Sequence, residues 1–236
     1  SQLRRDIRTM KICDLQTHGL EFLQEDGLFP FGTDGVELAN FVRGGSRDRA
    51  IDLCCGTGIV PVLLAGKKGI PTTGVELRHE AAELARKNAE HNRLPVEIYE
   101  MRAQDAPARF GRGRFDIVTC NPPYRKAGTG ERSAEDAISM ARHETTITAA
   151  EAIDAAAGLL SDGGRFYVVH ICERMDEIMY LCRERRLTPK ELQILRPADG
   201  KPPKLFLLMC RAGGGDGLKV LPERTVYGTT ADDYPD

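Results

Sequence analysis

The chain has 236 residues, of which 41% are hydrophobic and 29% are charged, and its formal net charge is −2 at pH 7. This composition allows one globular domain with a sizeable core and excludes a collagen-like, low-complexity or disordered chain. The apolar runs are much shorter than the roughly 20 residues of a membrane-spanning helix, and the N-terminus lacks the apolar centre of a signal peptide. We therefore expect a single domain without a membrane segment.

Cysteine and histidine usage argues against disulfides and metal sites. The chain has seven cysteines, an odd number, and no pair has the CxxC spacing of a zinc site. This favours a reducing compartment, the cytoplasm, and we interpret Cys54 and Cys55 as small buried hydrophobic residues rather than catalytic thiols. The histidines also lack ligand spacing, so we predict no metal and expect hydrogen-bonded or exposed side chains at His18, His79, His91 and His170.

Residues 1–49 precede the first strong strand pattern. Within them, Thr33 to Val42 carries apolar residues at helical spacing, and threonine is a common helix cap. We predict a helix there that is capped by Thr33 and that flanks or covers the site. The expected division is a flanking or lid segment over 1–49, a core over 50–210, and a turn, strand and tail over 211–236.

From residue 50 onward, strand patterns alternate with helical patterns. The predicted strands are Ala50–Cys54, Thr72–Leu77, Val96–Met101, Phe115–Cys120, Gly164–Ile171 and Lys204–Cys210, with a final strand after Gly217. The predicted helices are Ile59–Ala65, Glu80–Asn92 and Ala152–Leu160, the last opened by a capping box from Thr148 to Glu151. This alternation predicts an α/β fold with a doubly wound, mostly parallel seven-stranded sheet and helices on both faces. Ligands then bind at the carboxyl ends of the strands.

A glycine-rich turn, from Asp52 to Gly58, follows the first of these strands. Glycines at this place let the backbone approach a nucleotide-like cofactor closely. Pro61 stands where the dinucleotide fingerprint needs a third glycine or alanine, which weighs against NAD. The spacing from Asp52 through Gly56 to Gly58 is typical of methyltransferases that use S-adenosylmethionine, in which the acid balances the charge of the methionine amino group. Taken alone, the segment could also be an ordinary strand-to-helix turn.

Two further acids follow later strands. Glu76 comes 20 positions after Gly56, at the end of the next strand, where a carboxylate can accept hydrogen bonds from both ribose hydroxyls of an adenosine. Asp105 follows the third strand and is placed to accept from an adenine amino group. We expect the strand of Glu76 to lie between the glycine turn and the segment described next.

Asn121-Pro122-Pro123-Tyr124 follows the buried strand Phe115–Cys120. The Asn121 side-chain carbonyl and the Pro122 main-chain carbonyl can together accept both hydrogens of one NH2 group, and Tyr124 offers a ring for stacking. This arrangement would direct the nitrogen lone pair toward an activated methyl group, so positioning does most of the work and no strong base is required. By itself the tetrad could also be a turn. Pro122 to Ala141 is interpreted as a loop over the site.

These residues resemble the class I (Rossmann-like) methyltransferases with an N-P-P-Y motif, over about residues 48 to 170. More narrowly, further segments resemble the family of bacterial tRNA(Val) adenine-37 N6-methyltransferases. The segments are Gln16–Gly19, Phe31–Ala39, Ala141–Glu144, Leu159–Arg165 and Gly200–Lys204. Cys55 stands where members of that family usually carry glycine or another small residue, and we expect it to change packing more than chemistry.

The resemblance implies a cytoplasmic enzyme that methylates N6 of the adenine beside the anticodon, with S-adenosylmethionine as donor and S-adenosylhomocysteine as product. The predicted catalytic residues are Asn121, Pro122, Pro123 and Tyr124. The predicted cofactor contacts are Phe31, Thr33, Asp52, Cys54, Gly56, Gly58, Glu76, Asp105 and Asn121. The predicted contacts to tRNA are Tyr124, Arg125, Lys126, Arg142 and His143, although His143 could instead be structural. Because the net charge is slightly negative, affinity for RNA must come from local clusters of Arg and Lys.

Other acceptors and a non-catalytic role remain open at this point. Protein glutamine N5-methyltransferases share N-P-P-Y because an amide NH2 poses the same geometric problem, but they carry a helical domain for which the 51 residues before Asp52 leave little room. Ribosomal RNA guanine N2-methyltransferases often have Phe or Trp at the stacking position, and DNA adenine methyltransferases generally add a recognition domain. A non-catalytic RNA-binding module would keep the fold without turnover. The sequence leaves the oligomeric state, monomer or dimer, undecided.

Overall fold

A computed structural model describes residues 10–25, 32–124 and 147–226. Its strands are β1 (Met10–Asp14), β2 (Glu21–Glu25), β3 (Ala50–Leu53), β4 (Thr72–Glu76), β5 (Val96–Glu100), β6 (Phe115–Cys120), β7 (Leu160–Ile171), β8 (Leu187–Arg196), β9 (Leu205–Ala212), β10 (Lys219–Val220) and β11 (Arg224–Thr225). Its helices are α1 (Thr33–Phe41), α2 (Ile59–Lys68), α3 (His79–His91), α4 (Ala106–Phe110), α5 (Ala149–Leu159) and α6 (Met175–Glu184). Short 3-10 turns at Ala103–Asp105 and Cys172–Arg174 precede α4 and α6.

The main sheet confirms the predicted architecture. Its strand order is β10-β8-β9-β7-β6-β3-β4-β5, with β11 also paired to β8. Strands β3 to β7 run parallel, whereas β9 lies antiparallel between β7 and β8. Strands β3 to β9 are the seven longer strands of a nine-stranded sheet, and the expected single final strand is instead two strands of two residues each, β10 and β11, at the edge.

Both faces of the sheet are covered, as the apolar runs in the central strands require. In β6, Ile117 packs into a core with α1 and α2, whereas the next residue, Val118, packs into a core with α5 and α6. Tyr167 and Phe166 in β7 divide in the same way. This alternation follows from the period of two in a strand, and it explains why these strands read as continuous hydrophobic runs.

The N-terminal segment contains the predicted helix but also an unpredicted hairpin. Helix α1 forms over Thr33–Phe41, but the cap prediction is wrong, because Thr33 is its first helical residue and Gly32 occupies the cap position without a side-chain hydrogen bond. Strands β1 and β2 pair antiparallel ahead of it. Helix α1 flanks the sheet through its buried residues, including Leu38 and Phe41.

Asparagine side chains from α3 hold the hairpin in place. Asn88 accepts from the backbone N–H of Leu23 at 2.6 Å and donates to the carbonyls of Leu23 and Thr57 at 3.2 and 3.0 Å. One turn later, Asn92 pairs in the same way with the N–H and carbonyl of Glu21 at 3.0 and 2.7 Å. The two side chains satisfy the edge of β2 as a neighbouring strand would, and Asn88 also ties the hairpin to the glycine turn.

Outside the site, one expected element is confirmed and two further elements were not expected. The Thr148–Glu151 capping box is confirmed, with the Thr148 side chain accepting from the Glu151 N–H and the Glu151 carboxylate accepting from the Thr148 N–H. Strand β8 and helix α6 were not predicted, because each mixes polar residues into its pattern. Among the residues that the structure describes, no helix is both long and apolar enough to cross a bilayer.

Candidate active site

The glycine turn and the N-P-P-Y segment emerge from adjacent strands. β3 pairs in parallel with β4 on one side and β6 on the other, so Leu53 lies opposite Cys120 and the residues that follow them are neighbours. The expectation that the strand of Glu76 separates the two segments is therefore wrong. The chain reverses its direction of winding between β3 and β6, and this switch point is where ligands bind in open α/β sheets.

The glycine turn has an open side and a packed side. Cys54, Gly56 and Gly58 all have positive φ angles, of 62°, 54° and 94°. A Cβ on Gly56 would meet nothing within 4 Å, whereas a Cβ on Gly58 would lie 3.1 Å from the Cα of Ala85 in α3. Gly58 thus lets α3 pack against the turn, and Gly56 leaves backbone exposed to an approaching ligand.

The structure brings Glu76 and Gly56 into direct contact. One carboxylate oxygen of Glu76 accepts from the Gly56 N–H at 2.9 Å, and the other accepts from the backbone N–H and Nε of Arg78 at 2.9 and 3.2 Å. The Glu76 side chain is buried at the end of β4. It therefore holds the turn against β4 and presents a fixed acceptor at the switch point.

Asp52 is buried in β3 and accepts a hydrogen bond of 2.6 Å from the Thr119 hydroxyl. Burial, together with the charge of Glu76, raises the pKa of this carboxyl to about 8, although the hydrogen bond from the Thr119 hydroxyl opposes the shift. A ligand with a positive charge beside Asp52 would stabilise the carboxylate form. The site thus offers a buried acid for a cationic group next to an open glycine turn and a second acid.

Asn121 and Tyr124 converge on a residue that sequence reasoning missed, Asp34 in the first turn of α1. The Asp34 Oδ2 atom accepts from Asn121 Nδ2 at 2.9 Å and from the Tyr124 hydroxyl at 2.6 Å. The Tyr124 hydroxyl is also 2.9 Å from Asn121 Oδ1. Asp34 lies within the Phe31–Ala39 segment, which resembles the tRNA methyltransferase family. The resemblance therefore pointed to this segment, but it gave Asp34 no role.

Tyr124 is supported from behind by β7 and the turn that follows it. Its ring lies 5.1 Å from the His170 ring, centroid to centroid, and its carbonyl accepts from Arg174 at 3.1 Å. The His170 Nδ1 accepts from the Ile171 N–H at 2.9 Å, so its Nε2 carries the ring proton, and this buried Nε2 has no partner among the described residues. Burial, together with the charge of Arg174, lowers the His170 pKa to about 4.

The histidine expectation is wrong for His170, which is neither exposed nor fully hydrogen-bonded. His18, His79 and His91 do follow it, because each ring bonds to a neighbouring side chain: Thr17, Glu100 and Glu21. No group of metal-binding side chains occurs within ranges 10–25, 32–124 and 147–226.

The two adjacent cysteines differ in burial. Cys55 is buried, and its sulfur lies 2.9 Å from where a Cβ on Gly74 would be, so the thiol takes space that the glycine leaves. Burial raises the pKa of the Cys55 thiol well above its usual value, which agrees with a packing role. Cys54 is only half-buried and stands at the start of the turn.

Some predicted contacts lie farther out or outside the described residues. Asp105 is exposed at the start of α4, at the carboxyl side of β5. Thr33 is half-buried beside Asp34. Phe31, Arg125, Lys126, Arg142 and His143 lie outside the described residues, as do residues 125–141 of the segment predicted to be a loop, and these predictions stay predictions.

Comparison with known proteins shows the family of the chain. The model of the methyltransferase small domain family matches residues 37–177. A tRNA1(Val) (adenine(37)-N6)-methyltransferase of Dickeya chrysanthemi is 31% identical over 195 residues, which cover 80% of this chain and 76% of the relative. Another protein of that name, from Porphyromonas gingivalis, is 29% identical over 75% of this chain and 72% of its own length.

Solved structures support the fold. A predicted O-methyltransferase of Agrobacterium tumefaciens has a TM-score of 0.64 and 21% identity, covering 84% of this chain and 89% of its own. TYW2 of P. horikoshii, in complex with MeSAdo, has a TM-score of 0.62 and 12% identity over 88% of this chain and 73% of its own. At such low identities the similarity to solved structures shows only the fold. The family is shown by the family model and the more similar relatives. The chain belongs to the methyltransferase small domain family and, within it, to the family of bacterial tRNA1(Val) (adenine(37)-N6)-methyltransferases.

Proposed function

We propose that this protein transfers a methyl group from S-adenosylmethionine to N6 of adenine 37 in tRNA1(Val). The observation that carries the proposal is the placement of Asn121 and Tyr124, an acceptor for an NH2 group and an aromatic ring, directly beside the glycine turn of β3. The named activity of relatives that match across three quarters of their length supplies the choice of acceptor.

The described residues suit S-adenosylmethionine at the switch point. The open backbone at Gly56 leaves room for the cofactor, the buried Asp52 carboxyl matches the methionine ammonium, and Glu76 is an acceptor for ribose hydroxyls. Asp105, exposed beyond β5, is assigned to the adenine amino group, with Thr33, Cys54 and Phe31 near the methionine end. When bound, S-adenosylmethionine supplies a methyl group already activated on a sulfonium.

The protein must also hold the aromatic amine of the substrate so that its nitrogen lone pair points toward the methyl group of the cofactor. The Asn121 amide oxygen accepts one hydrogen of the adenine N6 amine and the Pro122 carbonyl accepts the other, while the Tyr124 ring stacks on the base. Reaching that position requires the adenine to leave its stack in the anticodon loop. The ring is preorganised for this role by His170 and by the Arg174 contact to its backbone.

The remaining contacts with tRNA are assigned to the segment after Tyr124. Arg125, Lys126, Arg142 and His143 would meet phosphates, because a protein with net charge −2 needs local cations to bind RNA. We also infer that the chain acts as a single domain in the cytoplasm, where its tRNA substrate is found.

A labelling experiment tests the proposal. The purified protein is incubated with S-adenosylmethionine carrying a labelled methyl group and with either tRNA1(Val) transcript or the same transcript with adenine 37 replaced by guanine. After digestion, we expect labelled N6-methyladenosine from the first transcript, none from the second, and much less from the first transcript when an Asn121→Ala protein is incubated for the same time. Parallel incubations contain a release factor or ribosomal RNA in place of the transcript. Labelled N5-methylglutamine in the release factor or N2-methylguanosine in the ribosomal RNA would overturn the acceptor assignment. Cofactor binding without methylation of any of these would favour a non-catalytic RNA-binding module.

A further inference from the structure

Asp34 links α1 to the N-P-P-Y segment through one carboxylate. Its Oδ2 atom accepts from Asn121 Nδ2 at 2.9 Å and from the Tyr124 hydroxyl at 2.6 Å, while its Oδ1 atom accepts from the Gly35 N–H at 2.8 Å. Building on the proposed function, the geometry points to Asp34 as a positioning residue. It orients the Asn121 amide and keeps the amide oxygen available to the target amine.

The first effect is on the orientation of the Asn121 amide. A carboxylate has no hydrogen to donate, so the amide group must turn its nitrogen toward Asp34. The planar amide then presents its oxygen on the other side, as an incoming NH2 group requires. Without Asp34 the amide could rotate by half a turn and present its own N–H groups to the target amine. Two hydrogen-bond donors would then face each other, and the amine would lose its acceptor.

The second effect is on the single proton of the Tyr124 hydroxyl. Asp34 Oδ2 at 2.6 Å and Asn121 Oδ1 at 2.9 Å both lie within reach of this hydroxyl, which can donate its hydrogen to only one of them at a time. The carboxylate is charged and nearer, so it is the stronger acceptor. By accepting the hydrogen bond from the Tyr124 hydroxyl, Asp34 leaves the Asn121 oxygen available to the substrate. Without the carboxylate, the Tyr124 hydroxyl would donate its hydrogen bond to Asn121 Oδ1 and occupy that acceptor.

Local structure places the carboxylate where it can do this. A Cβ on Gly32 would collide with the Asp34 Oδ1 atom, so the missing side chain at residue 32 leaves the space that the carboxylate occupies. The helix that carries Asp34 is anchored as well. Buried Glu37 forms an ion pair of 3.0 Å with Arg224 in β11. Asp34 therefore projects from a fixed element rather than from a loose loop.

The first test separates turnover from binding. Asp34→Ala is compared with Asp176→Asn, since Asp176 is also the second residue of a helix, α6, but is exposed. We expect Asp34→Ala to lower kcat on tRNA by about 10- to 100-fold, with the Kd for S-adenosylhomocysteine changed less than about two-fold. Gly32→Ala, which displaces the carboxylate without removing its charge, should lower kcat in the same direction, and Asp176→Asn should not. A loss of cofactor affinity that matches the loss of kcat would overturn the inference.

The second test is a rescue that a purely structural role would not produce. In the Asp34→Ala protein, the Tyr124 hydroxyl has the Asn121 oxygen as its remaining acceptor of this pair. Adding Tyr124→Phe removes that competitor, so the double variant should regain part of the kcat lost in Asp34→Ala. If the losses of the two single variants simply multiply, the competition for the proton is refuted.

A third measurement does not depend on the acceptor molecule. In protein with nitrogen-15 asparagine, the side-chain amide resonance of Asn121 is assigned by its disappearance in Asn121→Ser. We expect the Asn121 amide protons to shift upfield in Asp34→Ala and to stay in place in Asp176→Asn. Unchanged resonances in Asp34→Ala would overturn the inference. A wild-type protein that fails on tRNA would contradict the proposed function alone, and the amide resonance would then decide on Asp34.

Discussion

The carboxyl group of Asp52 and the hydroxyl of Thr119 lie 2.6 Å apart and face each other across two parallel strands, β3 and β6. Asp52 is wholly enclosed, and burial raises its pKa from 3.8 to about 8. In the free protein at pH 7 this acid therefore holds its proton, although the proposed role requires a carboxylate. Asp52 is therefore neutral in the free protein and becomes charged when a cationic ligand binds beside it.

The first prediction concerns stability in the absence of cofactor. Because the folded pKa of Asp52 lies above the unfolded value, its contribution to the free energy of unfolding is fully present below about pH 4 and is lost as the pH rises through about 8. Between these values the stability of the wild type should fall relative to Asp52→Asn by up to about 1.4 kcal/mol per pH unit. Urea denaturation from about pH 5 to about pH 9 measures this difference.

Asp162→Asn serves as the control for that series, since Asp162 is an exposed carboxyl in β7. Its stability should follow the wild-type curve across the whole range. Parallel curves for the wild type and Asp52→Asn would show that Asp52 is ionised in the free protein, contrary to the prediction.

The second prediction concerns proton release on binding. S-adenosylhomocysteine keeps the methionine ammonium, which should stabilise the Asp52 carboxylate and expel its proton. At pH 7 we expect about one proton to be released for each ligand bound, measured by calorimetry in buffers of different ionisation enthalpy. Asp52→Asn should bind more weakly and release almost none. Equal proton release by the two proteins would assign the proton to another group.

Local signals explain how much of this site the sequence could predict. The positive φ angles at Gly56 and Gly58, the strand before Asn121 and the capping box at Thr148 all depend on residues close together in the chain. Such features leave a pattern in a short window. The choice of adenine as the methyl acceptor came from the other segments that resemble the tRNA methyltransferase family. N-P-P-Y alone indicates an NH2 group but not the molecule that carries it.

The missed features depend on contacts between distant residues. Asp34 reaches Asn121 across 87 positions, and the buried His170 becomes significant only because Tyr124 lies against it. The adjacency of β3 and β6 is likewise a matter of sheet order, which no short window encodes. Helix α6 was missed because Ile178 and Cys182 are its only buried residues, too few to stand out in sequence.

The third prediction is for Asn121→Ala. Loss of the amide removes the acceptor for the target amine and should cost about 2 to 3 kcal/mol of transition-state stabilisation, or roughly a 30- to 150-fold loss of kcat. Affinity for S-adenosylhomocysteine should hardly change, because the glycine turn, Asp52 and Glu76 remain in place. Single-turnover rates and calorimetry separate the two quantities. A parallel loss of cofactor affinity would mean that Asn121 has a structural role.

The fourth prediction concerns the asparagine side chains that hold β2 against α3. Asn88 is fully buried, and Asn88→Ala would leave the N–H and carbonyl of Leu23 and the carbonyl of Thr57 without their partner. We expect the free energy of unfolding to fall by about 2 to 4 kcal/mol. Asn92→Ala removes a similar pair of bonds to Glu21, but water reaches that position, so a loss of about 1 kcal/mol or less is expected.

The two variants should also differ in their effect on the cofactor site. Asn88 holds the carbonyl of Thr57, which lies between Gly56 and Gly58, so Asn88→Ala should weaken binding of S-adenosylhomocysteine as well as stability. The Asn92 side chain forms hydrogen bonds with Glu21 and the Asn88 carbonyl rather than with Thr57, so Asn92→Ala should leave that affinity unchanged. Urea denaturation, calorimetry and hydrogen exchange at the Leu23 amide provide the readouts. Equal effects of the two variants on the cofactor would show that the hairpin, and not the single bond to Thr57, transmits the change to the glycine turn.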